Sequence, residues 1–203
     1  LRARGLELAA KIAAKTGCGI LTEGANTRLE RGAGRVQVNR IPYVVDQALK
    51  VMEAAGNLVL VGAREPVAFF AYPNKPSLLM PKDARSTKLA GLEDDMEAAL
   101  EALAIELDAI NTPPAGVAAP RRPALPTGPI GPAGIASILG AKIPENAIVV
   151  DESVTTGREF FPETAGAPPH SWINNRGGSI GYGLPVAEAL ALGAPRSRAL
   201  TAR

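Results

Sequence analysis

The chain has one cysteine, one histidine and one tryptophan among 203 residues, and each scarcity excludes a class of chemistry. A single thiol, Cys18, forms no internal disulfide, and one Cys with one His (His170) falls short of the ligand set of a zinc site. Such sparing use of cysteine suits a reducing compartment, so a cytoplasmic location is expected. Aromatic residues make up only 4%, too few for an aromatic-rich sandwich. No apolar run approaches the roughly 20 residues of a membrane span, and the N-terminus reads as helix interior rather than as a secretory signal. Neither charge is in excess: 22 Lys+Arg stand against 20 Asp+Glu, a net +2 with the basic residues scattered singly. That pattern argues against a nucleic-acid or anionic-membrane surface and leaves small molecules and proteins as partners. What is plentiful is apolar and small, with 46% hydrophobic residues and 21 Gly and 18 Pro. This is enough for one or two ordinary cores in which helices lie close on sheets and rigid turns join them.

Along the chain, helical and strand patterns alternate. Residues 2–15 carry Leu6, Ala9, Ala10 and Ala13 at helical spacing, and Gly17 follows as a stop. Residues 19–22 read as a short strand and 35–39 alternate weakly. Pro42 opens a helix that ends at Gly56, and Leu58-Val59-Leu60-Val61 is the clearest strand of the first half. Residues 66–72 read as a short helix and 77–80 as a strand between prolines. Residues 93–107 form a helix with acids in its first turn, where the dipole favours them. From Asn111 to Pro132 the texture changes to seven prolines without apolar period, a stiff extended connection. Beyond it lie a helix over 131–142, a buried strand 147–150 ending at Asp151, a helical turn at 155–161, the segment 171–173, and a glycine-rich turn running into a helix from Gly177. The alternation predicts an α/β fold: a Rossmann-like parallel sheet with flanking helices, then the first part of a second α/β domain.

Two stretches could carry chemistry. Gly177 to Pro185 (GGSIGYGLP) precedes an alanine-rich helix, so bare backbone can approach a ligand while the helix N-terminus offers N–H groups to an anion. Its spacing fits neither common phosphate-loop pattern, and it reads equally as a tight turn that lets helix and strand touch. Asp151 to Thr156 (DESVTT) sits at the carboxyl end of a buried strand, where open α/β sheets bind ligands. Capping of the next helical turn by Asp151 or Ser153 is the plainer reading of that sextet.

The run VVDESVTTGREFF from Val149, then Trp172, then GGSIGYGLPVA, resembles the diphosphate-binding domain of thiamine-diphosphate enzymes in the acetolactate synthase large subunit and benzoylformate decarboxylase group. Upstream, the stretch from Ala25 to Pro73 (ANTRLERGAGRVQVNRIPYVVDQALKVMEAAGNLVLVGAREPVAFFAYP) is similar to that family's middle domain. The break at 111–132 falls where the family joins the two. The resemblance implies residues 1–112 as a middle domain lacking its first strand, 113–130 as a linker and 131–203 as the opening of the diphosphate-binding domain. It also implies a 2-keto acid substrate, decarboxylation and acyl transfer through a thiazolium ylid, thiamine diphosphate and Mg²⁺ as cofactors, and a homo-oligomeric parent. By residue, Gly178 would offer its carbonyl to the cofactor's aminopyrimidine, and Ile180 would support the bent cofactor from beneath. Thr155 would face the diphosphate, Glu152 would lie by the same loop, and Ser179 and Thr156 are lesser candidates.

Three departures qualify what is carried over. The Gly-Asp-Gly motif with its later Asn, which holds the metal, has no match. The domain bearing the activating glutamate has none either, and residues 190–203 fit the expected helix loosely. The expectation is therefore a fragment of a larger enzyme, inactive alone, with no catalytic residue and no metal ligand assigned. The alternative is a non-catalytic nucleotide-binding or assembly module. Some relatives bind FAD or ADP in this domain, and Arg28, Arg31 and Arg35 flank a glycine-rich turn, but a solvated turn is the preferred reading and FAD is not expected. His170 reads as a surface or loop-anchoring residue, Cys18 as a small core residue, Trp172 as core, and Phe69, Phe70 and Tyr72 as packing under Pro73.

Overall fold

A computed structural model describes residues 1–194 and 199–202. Of the loosely matching stretch 190–203, residues 195–198 and 203 lie outside the described residues. In chain order the elements are α1 (Ala3–Thr16), β1 (Leu21–Thr22), β2 (Leu29–Arg31), β3 (Asn39–Arg40), α2 (Val45–Met52), β4 (Asn57–Val61), β5 (Arg85–Ala90), α3 (Met96–Glu106), α4 (Pro132–Lys142), β6 (Ile148–Asp151), α5 (Phe160–Glu163), β7 (His170–Asn174), α6 (Gly183–Gly193) and β8 (Ala199–Ala202). They form two compact units, one of Leu1, 3–24 and 38–115, the other of Arg2, 25–37 and 116–203.

In the first unit α1 stops where expected, with Gly17 at φ +78° and its N–H on Ala13 O at 2.8 Å. Leu8 and Ile12, one turn apart, pack with Leu100, Ala104 and Ala109 of the α3 region, a contact that follows from their shared i, i+4 face. The Asp95 carboxylate caps α3 by accepting from Glu97 N (3.1 Å) and Ala98 N (3.0 Å), which contributes about 1 kcal/mol. Two parallel strand pairs, β1 with β3 and β4 with β5, complete the unit. Four expectations fail here. Residues 66–72 form no helix, and 77–80 contribute only an isolated bridge, Leu78 to Val67; the strand that pairs with β4 is the polar segment 85–90. Phe69, Phe70 and Tyr72 are exposed rather than under a proline: Phe70 packs edge-on against Phe69, Tyr72 and Tyr43, and Phe69 lies tilted against Tyr43. Cys18 is exposed, not core.

The second unit holds a four-stranded sheet in the order β2-β7-β6-β8, with β6 parallel to both β7 and β8 and β2 antiparallel at one edge. Its core contains Trp172, Phe160, Ile143, Val149 and Val150, each at most 2% exposed. The segment 25–37, which the sequence reading puts in the first domain, belongs to this unit. Leu29 pairs with Trp172 and Arg31 with His170, and Gly32 lets the backbone that follows approach residues 167–168 closely. At φ +111° a side chain there would meet Pro168 O at 2.6 Å and Ala167 O at 2.7 Å. Residues 118–121 of the proline-rich stretch also pack here, through Ala118 N to Arg35 O and Arg121 N to Gly166 O, both 2.8 Å.

Candidate functional site

The β-branched run Ile148-Val149-Val150 is buried on both faces, as a central parallel strand requires, and it delivers Asp151 to the carboxyl edge of the sheet in register with Asn174 of β7. Asp151 is buried and its carboxylate is fully employed. Oδ1 accepts from Ser153 N (3.0 Å) and Ser153 Oγ (2.5 Å), and Oδ2 from Trp172 Nε1 (3.1 Å) and Asn174 Nδ2 (3.3 Å). Four donors make a buried carboxylate tolerable, so Asp151 anchors the loop rather than serving a ligand.

The adjacent loop, 175–182, runs from the carboxyl end of β7 to the start of α6. Gly177, Gly178 and Gly181 adopt φ of +76°, +69° and +97°. Asn175 clamps the turn across itself, donating from Nδ2 to Ser179 O (2.9 Å) and accepting Ser179 N on Oδ1 (3.1 Å). Tyr182 donates its hydroxyl to Asp151 O at 2.9 Å, with Ile173 O at 3.4 Å, so it pins the loop to the ends of both parallel strands. Burial, reinforced by the charges of Asp151 and Glu152, pushes the Tyr182 hydroxyl up to about 12, which keeps it protonated for that task.

Glu152 joins the two loops. Its carboxylate accepts from Gly183 N at 3.0 Å and from Gly181 N, so it takes the N–H groups at the start of α6 that an external anion would otherwise meet. Of the remaining expected site residues, Gly178, Ser179 and Thr155 are exposed and Ile180 is 91% exposed, whereas Thr156 is half-buried. Val154 at 79% and Leu184 at 57% add apolar surface on the same loops and the first turn of α6. Sequence reasoning missed Asn175 and Tyr182. An Asn ahead of a Gly pair and a Tyr inside Gly-Tyr-Gly are the signals that could have found them, since both hold a glycine turn in shape.

Elsewhere in this unit two expectations are corrected. His170 is buried, with Nδ1 on Pro168 O at 2.7 Å and Nε2 without a partner, because β7 carries it into the core. Arg31 is not on a solvated turn: its guanidinium stacks 3.6 Å over Phe161 and donates to Thr164 Oγ1 (2.6 Å) and Phe161 O (2.5 Å).

No family model matches the sequence. A Mycobacterium tuberculosis protein assigned as an acetolactate synthase large subunit, IlvX, is 45% identical over 197 residues, which is 96% of this chain and 37% of that protein. Along nearly its whole length the chain is therefore similar to an acetolactate synthase large subunit, whose own length it covers only in part. Its fold is shared with a thiamine-diphosphate enzyme. The thiamine-diphosphate-dependent 4-hydroxybenzoylformate decarboxylase of Rhodococcus jostii RHA1 superposes with a TM-score of 0.69 over 98% of this chain and 41% of its own, at 18% identity. Among the described residues no helix is long and apolar enough to cross a membrane, and no three His, Cys, Asp or Glu side chains cluster as a metal site. The loops nevertheless fit the family's cofactor in one respect that can be read directly. A large aliphatic side chain held out by a bonded turn, beside glycines with bare backbone, offers an apolar and a polar contact to a heterocycle.

Proposed function

We propose that this chain supplies the cofactor-facing loops of a thiamine-diphosphate-dependent 2-keto acid decarboxylase and carboligase, most like an acetolactate synthase large subunit. The observation that carries the reading is the pair of loops at the carboxyl ends of β6 and β7. They are locked together by Glu152 and Tyr182 while Gly178, Ser179 and Ile180 are left exposed. In this reading Gly178 offers its carbonyl to the aminopyrimidine and Ile180 is the apolar support. The Thr155 hydroxyl faces the diphosphate, Ser179 lines the turn and Glu152 positions it. Thiamine diphosphate, with Mg²⁺, supplies the electron sink for carbon–carbon bond cleavage. The chain's own part is to hold that group in one orientation on a turn already bonded, so that little order has to be gained on binding.

The chain spans 37% of the IlvX relative, so activity and homo-oligomeric assembly are proposed for the whole polypeptide. The test is CO₂ release from pyruvate and from benzoylformate by the full-length protein, with and without thiamine diphosphate and Mg²⁺, alongside the 203-residue chain. Cofactor-dependent turnover by the full-length protein only, with Ile180→Ala weakening cofactor affinity by about tenfold or more, is the expected result. Turnover indifferent to the cofactor, or cofactor affinity indifferent to Ile180, overturns the reading.

A further inference from the structure

The opposite, amino-terminal edge of the same sheet carries a second cleft, of about 350 Å³, lined by the starts of β6 and β7, the end of α6 and the arginines around β2. That volume lies within the roughly 300–1,000 Å³ of small-ligand sites. Among the described residues its charge is unbalanced. Three guanidinium groups surround one carboxylate, Glu30: Arg2 holds Oε1 at 2.6 Å, whereas Arg28 and Arg35 stand back at 3.6 Å. At 3.6 Å these two are attracted to Glu30 but not hydrogen-bonded to it. Arg28 spends Nε and Nη2 on the neutral Ser171 hydroxyl, at 3.2 and 3.0 Å, and both side chains are at least one-third exposed.

From this arrangement we infer that the cleft between Arg28, Arg35 and Ser171 binds a small oxyanion, a phosphate or carboxylate group, at the edge of the sheet away from the glycine-rich loop. Guanidinium forks suit such groups because two parallel N–H bonds meet two oxygens. The wall at Leu190 and Ala194 is the C-terminal end of α6, whose dipole repels an anion, so the group is confined to the arginine side.

The experiment titrates the ¹⁵N-labelled 203-residue chain with inorganic phosphate and, separately, acetate, against chloride at matched ionic strength, following the arginine Nε–H resonances. A saturable response to phosphate or acetate that chloride does not give is expected, and whichever binds tighter names the group. Arg35→Gln is expected to raise Kd by about tenfold and Arg35→Lys by clearly less, since charge is kept but the fork is lost. Arg28→Gln also removes the Ser171 contact and could disturb folding. Arg35→Gln therefore carries the test, with Trp172 emission confirming a native core. Responses equal to chloride, or an unchanged Kd in folded Arg35→Gln, overturn the inference.

Discussion

His170 is a titratable group placed where charge is costly. Its Nδ1 lies on the Pro168 carbonyl, which can only accept, so Nδ1 carries a proton. Burial, with help from Arg31 and against the Pro168 bond, lowers its pKa to about 4. A depressed value means the unfolded chain binds the proton more tightly, so stability is full above about 6.5 and is lost as pH falls toward 4. The loss attributable to His170 is at most about 3 kcal/mol. Urea midpoints measured from pH 7 to 4 should fall more steeply for the wild type than for His170→Gln; parallel curves would show that burial of this ring is not what sets the slope. Arg31 beside it teaches a related lesson. A charged residue can be core when its plane lies on Phe161 and Trp172 and its N–H groups find oxygens, and nothing in the run Arg-Leu-Glu-Arg-Gly-Ala-Gly-Arg distinguishes it from its exposed neighbours.

Elements with strong periodicity were legible; those defined by a distant partner were not. The Leu-rich face of α3 and the buried Val pair of β6 announce themselves because side-chain period and burial coincide. β5 (RSTKLA) does not, since its polar residues are strand only by virtue of pairing in parallel with β4, from Asn57 opposite Arg85 onward. Residues 77–80 misled for the converse reason: an apolar run between prolines with no neighbour to pair with beyond one bridge. For the candidate site, the glycines and Ile180 were readable as a loop, but that Glu152 spans the loops was not, because its two acceptors act on residues 29 and 31 positions on. Removing that tie has a local signature. Glu152→Ala should cost about 1–2 kcal/mol, and hydrogen exchange should quicken at Gly181 and Gly183 well before it does in β6. Exchange that stays uniform would mean α6 is held by its packing alone.

For the molecule as a whole, the two units do not follow the order of the sequence. The second takes 25–37 from the first third of the chain, including the strand that seats Leu29 against Trp172 and carries Arg31. A polypeptide of residues 116–203 therefore lacks an edge of its sheet and the cation that covers Phe161. Its Trp172 emission is expected to lie further to the red than in the whole chain, and a synthetic peptide of residues 25–37 should shift it back. A native-like spectrum without the peptide would show that β2 is dispensable. The proline-rich break was visible as a change of texture, but a division read along the sequence could not show a segment crossing it, because strand pairing leaves no mark in local composition.

That crossing sets a timetable for synthesis. Partners such as Arg28 and Ser171 are 143 residues apart, so at roughly 5–20 residues per second the early strand waits about seven to thirty seconds for its mate to be synthesised. During that interval Leu29 and Arg31 lack the β7 strand and the Phe161 ring that later bury them.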